Sequence, residues 1–298
     1  MPSWSELSQF LVSGLALGGV YALSGVGLVV LYRATGVLYL AFGAVGATGA
    51  FLAYQLIQAS GPGWAAWIVC ILFAGLVTLI YGMIFGPALA GRGTLVRAVA
   101  TLGLTLILLG AMDLLWPPTS GAVRSISLPT DNGGFTLFGL QATWTQVIAL
   151  AAGVVLTAAT AAFLRYTKLG TAMRAMANDR EITATLGVPV RRVEAAAWFG
   201  CGILAGFAGL LLADLVQLDP ATLTFLVISS LAAALIAQLR SIAVTFVAAI
   251  VIGVVHDLLT PFTALTNYRD MTPFVLAVIA LLVVSRHRTV MTRSGEEA

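Results

Sequence analysis

Residues 14–51 read GLALGGVYALSGVGLVVLYRATGVLYLAFGAVGATGAF. Two apolar runs meet at Tyr32–Thr35, and Arg33 is the first basic residue of the chain. A helix needs about 20 apolar residues to cross the hydrocarbon core of a bilayer. Runs of that kind recur to the end of the chain, near 7–31, 36–59, 64–89, 98–116, 144–164, 194–216, 221–239, 241–259 and 271–285. The pair 221–239 and 241–259, divided only by Arg240 and Ser241, is the weakest, and short, tilted or partly re-entrant segments fit it as well as full crossings. The expected fold is all-α: a polytopic transmembrane helical bundle with 8–9 spans in one domain over 1–298.

Composition agrees. Apolar residues make up 60% of the chain and charged residues 9%, with a mean hydropathy of +1.01. A soluble domain carries about 25% charged residues, so this chain lacks the polar coat that water requires. Cys70 and Cys201 lie inside apolar runs with no ligand neighbours and read as small buried hydrophobes. The absence of Lys or Arg before Arg33 argues that the first run is a retained span, since a cleaved signal peptide carries a basic start.

Orientation follows from charge. With the N-terminus outside and nine crossings, 13 of the 15 basic residues fall inside and only Arg124 and Arg269 outside, as the positive-inside rule favours. That arrangement leaves the C-terminus cytoplasmic. Trp4, Trp64, Trp67, Trp116 and Trp144 then sit at outer ends and Trp198 near an inner end, as interfacial anchors. The repeated glycines of the first two spans fit close helix packing, and equally a pathway beside thinned helices.

Two loops are long. In the outer loop, 117–143, Asn132-Gly133 predicts a tight turn between strands at Ser125–Leu128 and Phe135–Phe138. The inner loop, 165–193, holds RYTKLGTAMRAMANDREITATLGVPVRRV. Leu169, Met173, Met176 and Ala177 make one apolar stripe at helical spacing. Asn178 and Glu181 have capping-box spacing, Gly187 suits a left-handed stop, and Pro189 prevents continuation. A short capped helix at about 179–186 is expected. Such a helix suits either a surface helix lying on lipid headgroups or a stiff lever docked into a soluble partner.

This loop also carries a resemblance. Thr167, Gly170, Arg174, Ala175, Ala184 and Gly187, within TKLGTAMRAMANDREITATLGVPVRRVEAAAWFGCGILAGFAGLLLA, resemble the branched-chain amino acid permease family of ABC importers. FTLFGLQATWTQVIALAAG and the opening stretch above are similar to the same family, and the likeness covers most of 10–260. The resemblance implies a bacterial inner-membrane subunit working with two cytosolic ABC ATPase subunits, a second permease chain and an extracytoplasmic substrate-binding protein. It also implies an ATPase-coupling segment that includes Thr167, Gly170, Arg174, Ala175, Asn178, Glu181, Ala184 and Gly187. The family's Asn-Phe-Ala-His-Gly followed by Glu is here Tyr39, Leu40, Ala41, Phe42, Gly43 and Ala44, so three polar groups are absent. That loss favours a heterodimer. Tyr39, Phe42, Gly43 and Gly46 are the expected pathway residues.

Some chemistry is excluded. The single lysine, Lys168, follows Thr167, so no Gly-x-x-x-x-Gly-Lys-Ser/Thr phosphate loop exists and the chain is not an ATPase. No cofactor, metal site, catalytic residue or nucleic-acid surface is expected. The rival reading is a gradient-driven secondary transporter of small polar solutes, which needs a mid-span acid or His. Asp113, Asp214, His256 and Asp257 all fall near outer ends of spans.

Overall fold

The structure is a computed structural model that describes residues 4–89, 91–117, 124, 126, 134–137, 140–225, 227–262, 271–280 and 282. Five of its helices are long and apolar enough to cross a membrane: α1 (Trp4–Thr35), α3 (Gly63–Ala88), α4 (Thr94–Leu115), α5 (Trp144–Tyr166) and α8 (Val190–Leu215). Between them lie α2 (Phe42–Gln58), α6 (Lys168–Asn178) and α7 (Arg180–Thr185). After α8 come α9 (Pro220–Phe225), α10 (Val227–Ile236), α11 (Ile242–Leu258) and a helical stretch over 272–280. The chain is a polytopic helical protein, with one short hairpin as the exception among the described residues.

The helix α1 is the axis. It is apolar all round, which marks a helix surrounded by protein, and it packs against α5, α6, α8, α10 and α11. Small residues allow the approach. A Cβ on Gly18 would lie 2.8 Å from the Ile250 Cα of α11, and Gly253 of α11 faces Gly18 in return. A second such contact joins α2 to α8, where a Cβ on Gly46 would lie 2.6 Å from the Ala205 carbonyl oxygen. Lipid offers no hydrophobic drive to bring helices together, so backbone proximity and dispersion supply the cohesion. Close packing accounts for Gly18, Gly46 and Gly253.

The outward side is different. Leu72, Leu76, Ile80 and Met83 on α3, and Leu95, Val99, Leu106 and Ile107 on α4, are exposed. Such a patch suits lipid or another apolar chain and would be untenable in water.

Two boundaries move for clear reasons. The first span extends to Thr35 rather than ending at 31, because the left-handed Gly36 (φ +69°) closes it with its N–H on the Tyr32 carbonyl at 2.7 Å. The second starts at Phe42 rather than 36. The non-helical linker before it is stitched to α4: the Thr101 hydroxyl accepts the Leu40 N–H at 3.1 Å and lies 3.2 Å from the Leu38 carbonyl that it can bond in turn. The span expected at 221–239 is helical over Pro220–Phe225 (α9) and Val227–Ile236 (α10), with residue 226 outside the described residues.

The outer hairpin pairs β1 (Gly134–Leu137) with β2 (Leu140–Thr143), antiparallel, with Leu137 opposite Leu140. Of the expected first strand at Ser125–Leu128 only Ile126 is among the described residues, and Asn132 and Gly133 lie outside them. Trp198 also departs from expectation: it is buried against Tyr39 and Tyr81, with ring centroids 5.1 and 5.5 Å away, and does not anchor an interface.

Candidate functional site

The inner loop folds as two short helices at one end of the bundle. Thr167 makes the corner between α5 and α6. Its extended backbone breaks the helix, its hydroxyl accepts the Gly170 N–H at 2.9 Å, and it donates to the Phe163 carbonyl at 2.7 Å. Gly170 is buried, and a Cβ there would collide with the Leu164 backbone and the Phe163 carbonyl. Thr167 and Gly170 therefore act together: one caps, the other gives clearance.

Met173 and Met176 are buried beneath α6, whereas Leu169 is exposed. The predicted stripe thus begins at Gly170 and leaves Leu169 out. Arg174 is exposed, with only 3.5 Å contacts to the Arg165 carbonyl and the Thr171 hydroxyl. The Ala175 carbonyl accepts the Asp179 N–H at 3.1 Å and ends α6.

The cap of α7 is Asp179, not Asn178. Asp179 is extended and its carboxylate accepts the Ile182 N–H at 2.9 Å, while Asn178 is still the last helical residue of α6. Glu181 occupies the first turn, where an acid suits the helix dipole. The Ala184 carbonyl accepts the Gly187 N–H at 3.0 Å, and Gly187 has φ +82°. Ile182 and Leu186 stand one turn apart and are 59% and 77% exposed, an apolar edge that this chain does not cover.

Sequence reading missed the strut that holds α7. Arg180 donates from Nε (3.0 Å) and Nη2 (2.7 Å) to Oε1 of Glu194, in the second turn of α8. The 14-residue separation crosses the turn at Gly187, so no helix periodicity could reveal it.

The expected pathway residues divide. Phe42, Gly43 and Gly46 line one cavity with Tyr21, Ser24 and Ser230, bounded by α1, α2, α8, α9 and α10. Its volume of about 20 Å³ holds about one water and no amino acid. The Ser230 hydroxyl is fully buried there without a hydrogen-bond partner. Ser229-Ser230 inside an apolar run was the signal available in the sequence. Tyr39 belongs elsewhere, in the aromatic group with Tyr81 and Trp198.

Acids lie at helix ends. Asp113 is near the end of α4, Asp214 near that of α8, and His256 and Asp257 at that of α11, buried with Nδ1 and Oδ1 3.4 Å apart. No carboxylate sits midway along a long helix among the described residues, which is what a gradient-driven carrier would need. The end of the bundle carrying α6 and α7 also holds Arg33, Arg92, Arg97, Arg165, Lys168, Arg174, Arg180, Arg191, Arg192 and Arg240. The opposite end holds Arg124, which donates to the carbonyls of Trp116 (2.9 Å) and Pro117 (2.8 Å).

Comparison with known proteins gives one consistent result. Residues 10–284 match the family model described as branched-chain amino acid transport system / permease component. The chain is 25% identical over 295 residues to the high-affinity branched-chain amino acid transport system permease protein LivH of Escherichia coli (strain K12), covering 93% of each. It is 28% identical over 265 residues to the probable branched-chain amino acid transport permease protein LivH of Methanocaldococcus jannaschii, covering 86% and 82%. It is 25% identical to the high-affinity permease protein BraD of Pseudomonas aeruginosa, covering 95% of each. Among solved structures, PsaBC from Streptococcus pneumoniae in complex with Fab shares the fold at a TM-score of 0.50 and 14% identity, covering 93% of this chain and 91% of that one.

Proposed function

We propose, from the premise that this chain belongs to the family of branched-chain amino acid transport system permease components, that it is the membrane-spanning subunit of an ATP-driven importer. Its substrates are branched-chain or related small amino acids. It works with two cytosolic ABC ATPase subunits, an extracytoplasmic substrate-binding protein and a second permease chain, a heterodimer being favoured. The bilayer is the bacterial inner membrane, crossed eight or nine times with the N-terminus outside and the C-terminus cytoplasmic. Support for that orientation is the crowding of basic residues at the α6 end. The outer loop, 117–143, faces the binding protein.

The observation that carries this reading is the rigid α6–α7 unit with its uncovered Ile182 and Leu186. A flexible linker needs neither the Thr167 and Asp179 caps nor the Arg180–Glu194 strut. In this reading Thr167, Gly170, Ala175, Ala184 and Gly187 set the shape of the coupling segment. Arg174, Asn178 and Glu181 present its polar groups, and Ile182 and Leu186 seat in an ATPase cleft. ATPase closure moves the segment and, through α5 and α8, opens the cavity at Phe42, Gly43 and Gly46. Its present size marks a closed state, and the Ser230 hydroxyl awaits a polar group in the open one.

The test is a reconstitution in vesicles with and without the ATPase partners. Uptake should require both ATPase and ATP, and cysteines at Ile182 and Leu186 should cross-link to the ATPase. Uptake in vesicles without any ATPase would sink the proposal.

A further inference from the structure

At the α6 end lies a cavity of about 790 Å³, within the size range of ligand sites. Thr35, Asn178 and four arginines, Arg33, Arg97, Arg180 and Arg240, are part of its wall, and no carboxylate among the described residues is. Glu194 pairs with Arg180, leaving a surplus of positive charge. Arg97 is tied to backbone carbonyls of Leu89 (3.1 Å), Arg92 (3.1 Å) and Thr35 (3.3 Å), so it is built into the wall. Arg33 reaches only the Arg240 carbonyl, at 3.3 Å, and the Arg240 guanidinium bonds no group among the described residues. A surplus of this kind calls for an anion.

Depth says which anion. The wall is formed where α1 ends at Thr35 and where α10 turns into α11, the level at which helices leave the hydrocarbon. Lipid phosphates occupy that layer, and basic pockets between helices on the cytoplasmic side suit them. An amino acid zwitterion brings no net charge, and of the acids beside the wall Glu194 is paired with Arg180 and the Asp179 carboxylate caps α7. We propose that this cavity binds the phosphate headgroup of an anionic inner-leaflet lipid, with Arg33 and Arg240 as its principal donors. The inference rests on the orientation given above. Because Met176, Ala177 and Asn178 of α6 share the wall, the bound headgroup braces the coupling segment from its membrane side.

The test is native mass spectrometry of the full chain with equal amounts of phosphatidylglycerol and phosphatidylcholine, a readout that does not depend on transport. The unaltered chain should retain at least one phosphatidylglycerol in preference. R33Q/R240Q should weaken that retention about 30-fold, each basic side chain being worth about fivefold. R240Q alone, which removes no side-chain hydrogen bond to the described residues, should show the fivefold step and rules out misfolding as the cause. R191Q/R192Q, with the same loss of charge outside the cavity, should retain the lipid. Equal effects of the two double variants, no effect of R33Q/R240Q, or displacement of the lipid by millimolar inorganic phosphate would each overturn the proposal.

Discussion

Two chain reversals at the α6 end use left-handed residues, and they differ in what occupies them. Between α7 and α8 the position is Gly187, at φ +82°. Between α10 and α11 it is Gln238 and Leu239, at +53° and +55°. Both are closed by backbone bonds. At the second, the Gln238 N–H meets the Leu235 carbonyl and the Leu239 N–H the Ala234 carbonyl, each at 2.8 Å, which is a Schellman motif without its usual glycine. A side chain in that region costs about 1–2 kcal/mol per residue. The α7–α8 turn is thus relaxed, while the α10–α11 turn is strained beside the arginine cavity. A coupling segment of the kind proposed must keep its shape under load, and the relaxed turn is the one on the segment given that role.

The largest expected effect comes from making the relaxed turn resemble the strained one. Gly187→Val places a β-branched residue at φ +82°, for a local cost of about 2 kcal/mol. Open space around Gly187 means that no clash adds to it. The bundle should insert and pack as before, because Gly187 is outside the core. Uptake per ATP hydrolysed should fall by at least tenfold in reconstituted vesicles. An unchanged ratio would show that the turn carries no load.

The reverse exchange should stabilise. Gln238→Gly removes one strained side chain and should raise stability by about 1 kcal/mol, measured as unfolding in detergent. Leu239→Gly sharpens the comparison. Leu239 is buried with Val29 and Ala234, so losing its packing should offset the relief and leave little net change or a small loss. If Gln238→Gly destabilises, the turn's strain is held by side-chain contacts and the contrast with Gly187 is weaker than drawn.

These turns also mark how far the sequence could be read. Gly187 was legible because glycine before Pro189 is a strong local signal. The strained turn was not, because Gln and Leu carry no preference for that conformation. The long spans and the coupling-like loop were legible from apolar runs and local spacing. The cap moved from Asn178 to Asp179 because either residue can serve and the helix end decides. Phe42, Gly43 and Gly46 were found together in one cavity, but Tyr39 was not, since its place depends on Tyr81 and Trp198 from distant helices. Ser229-Ser230 in an apolar run was a faint local sign of the buried hydroxyl, whereas the Arg180–Glu194 strut depends on tertiary approach and has no local signature.

The smallest expected effect concerns that strut. Arg180 is 47% exposed and Glu194 18%, and an exposed pair contributes about 0.2–1 kcal/mol. Glu194→Gln keeps the shape, removes the charge and should lower global stability by no more than about 0.5 kcal/mol. Its effect on coupling should be larger than that number suggests, because the bond crosses the Gly187 turn and keeps α7 from pivoting on it. Uptake per ATP should fall two- to threefold. Exchanging the charges, with Arg180→Glu and Glu194→Arg together, should restore part of the loss, whereas either change alone should not. The combination of Glu194→Gln with Gly187→Val separates two accounts. If the strut acts by limiting the turn, the double variant should be no worse than Gly187→Val alone, since a turn already distorted has no pivot left to restrain. If the losses multiply, Arg180 and Glu194 act through a second, smaller pocket that they line with Arg97, Tyr81 and Trp198 rather than through the turn.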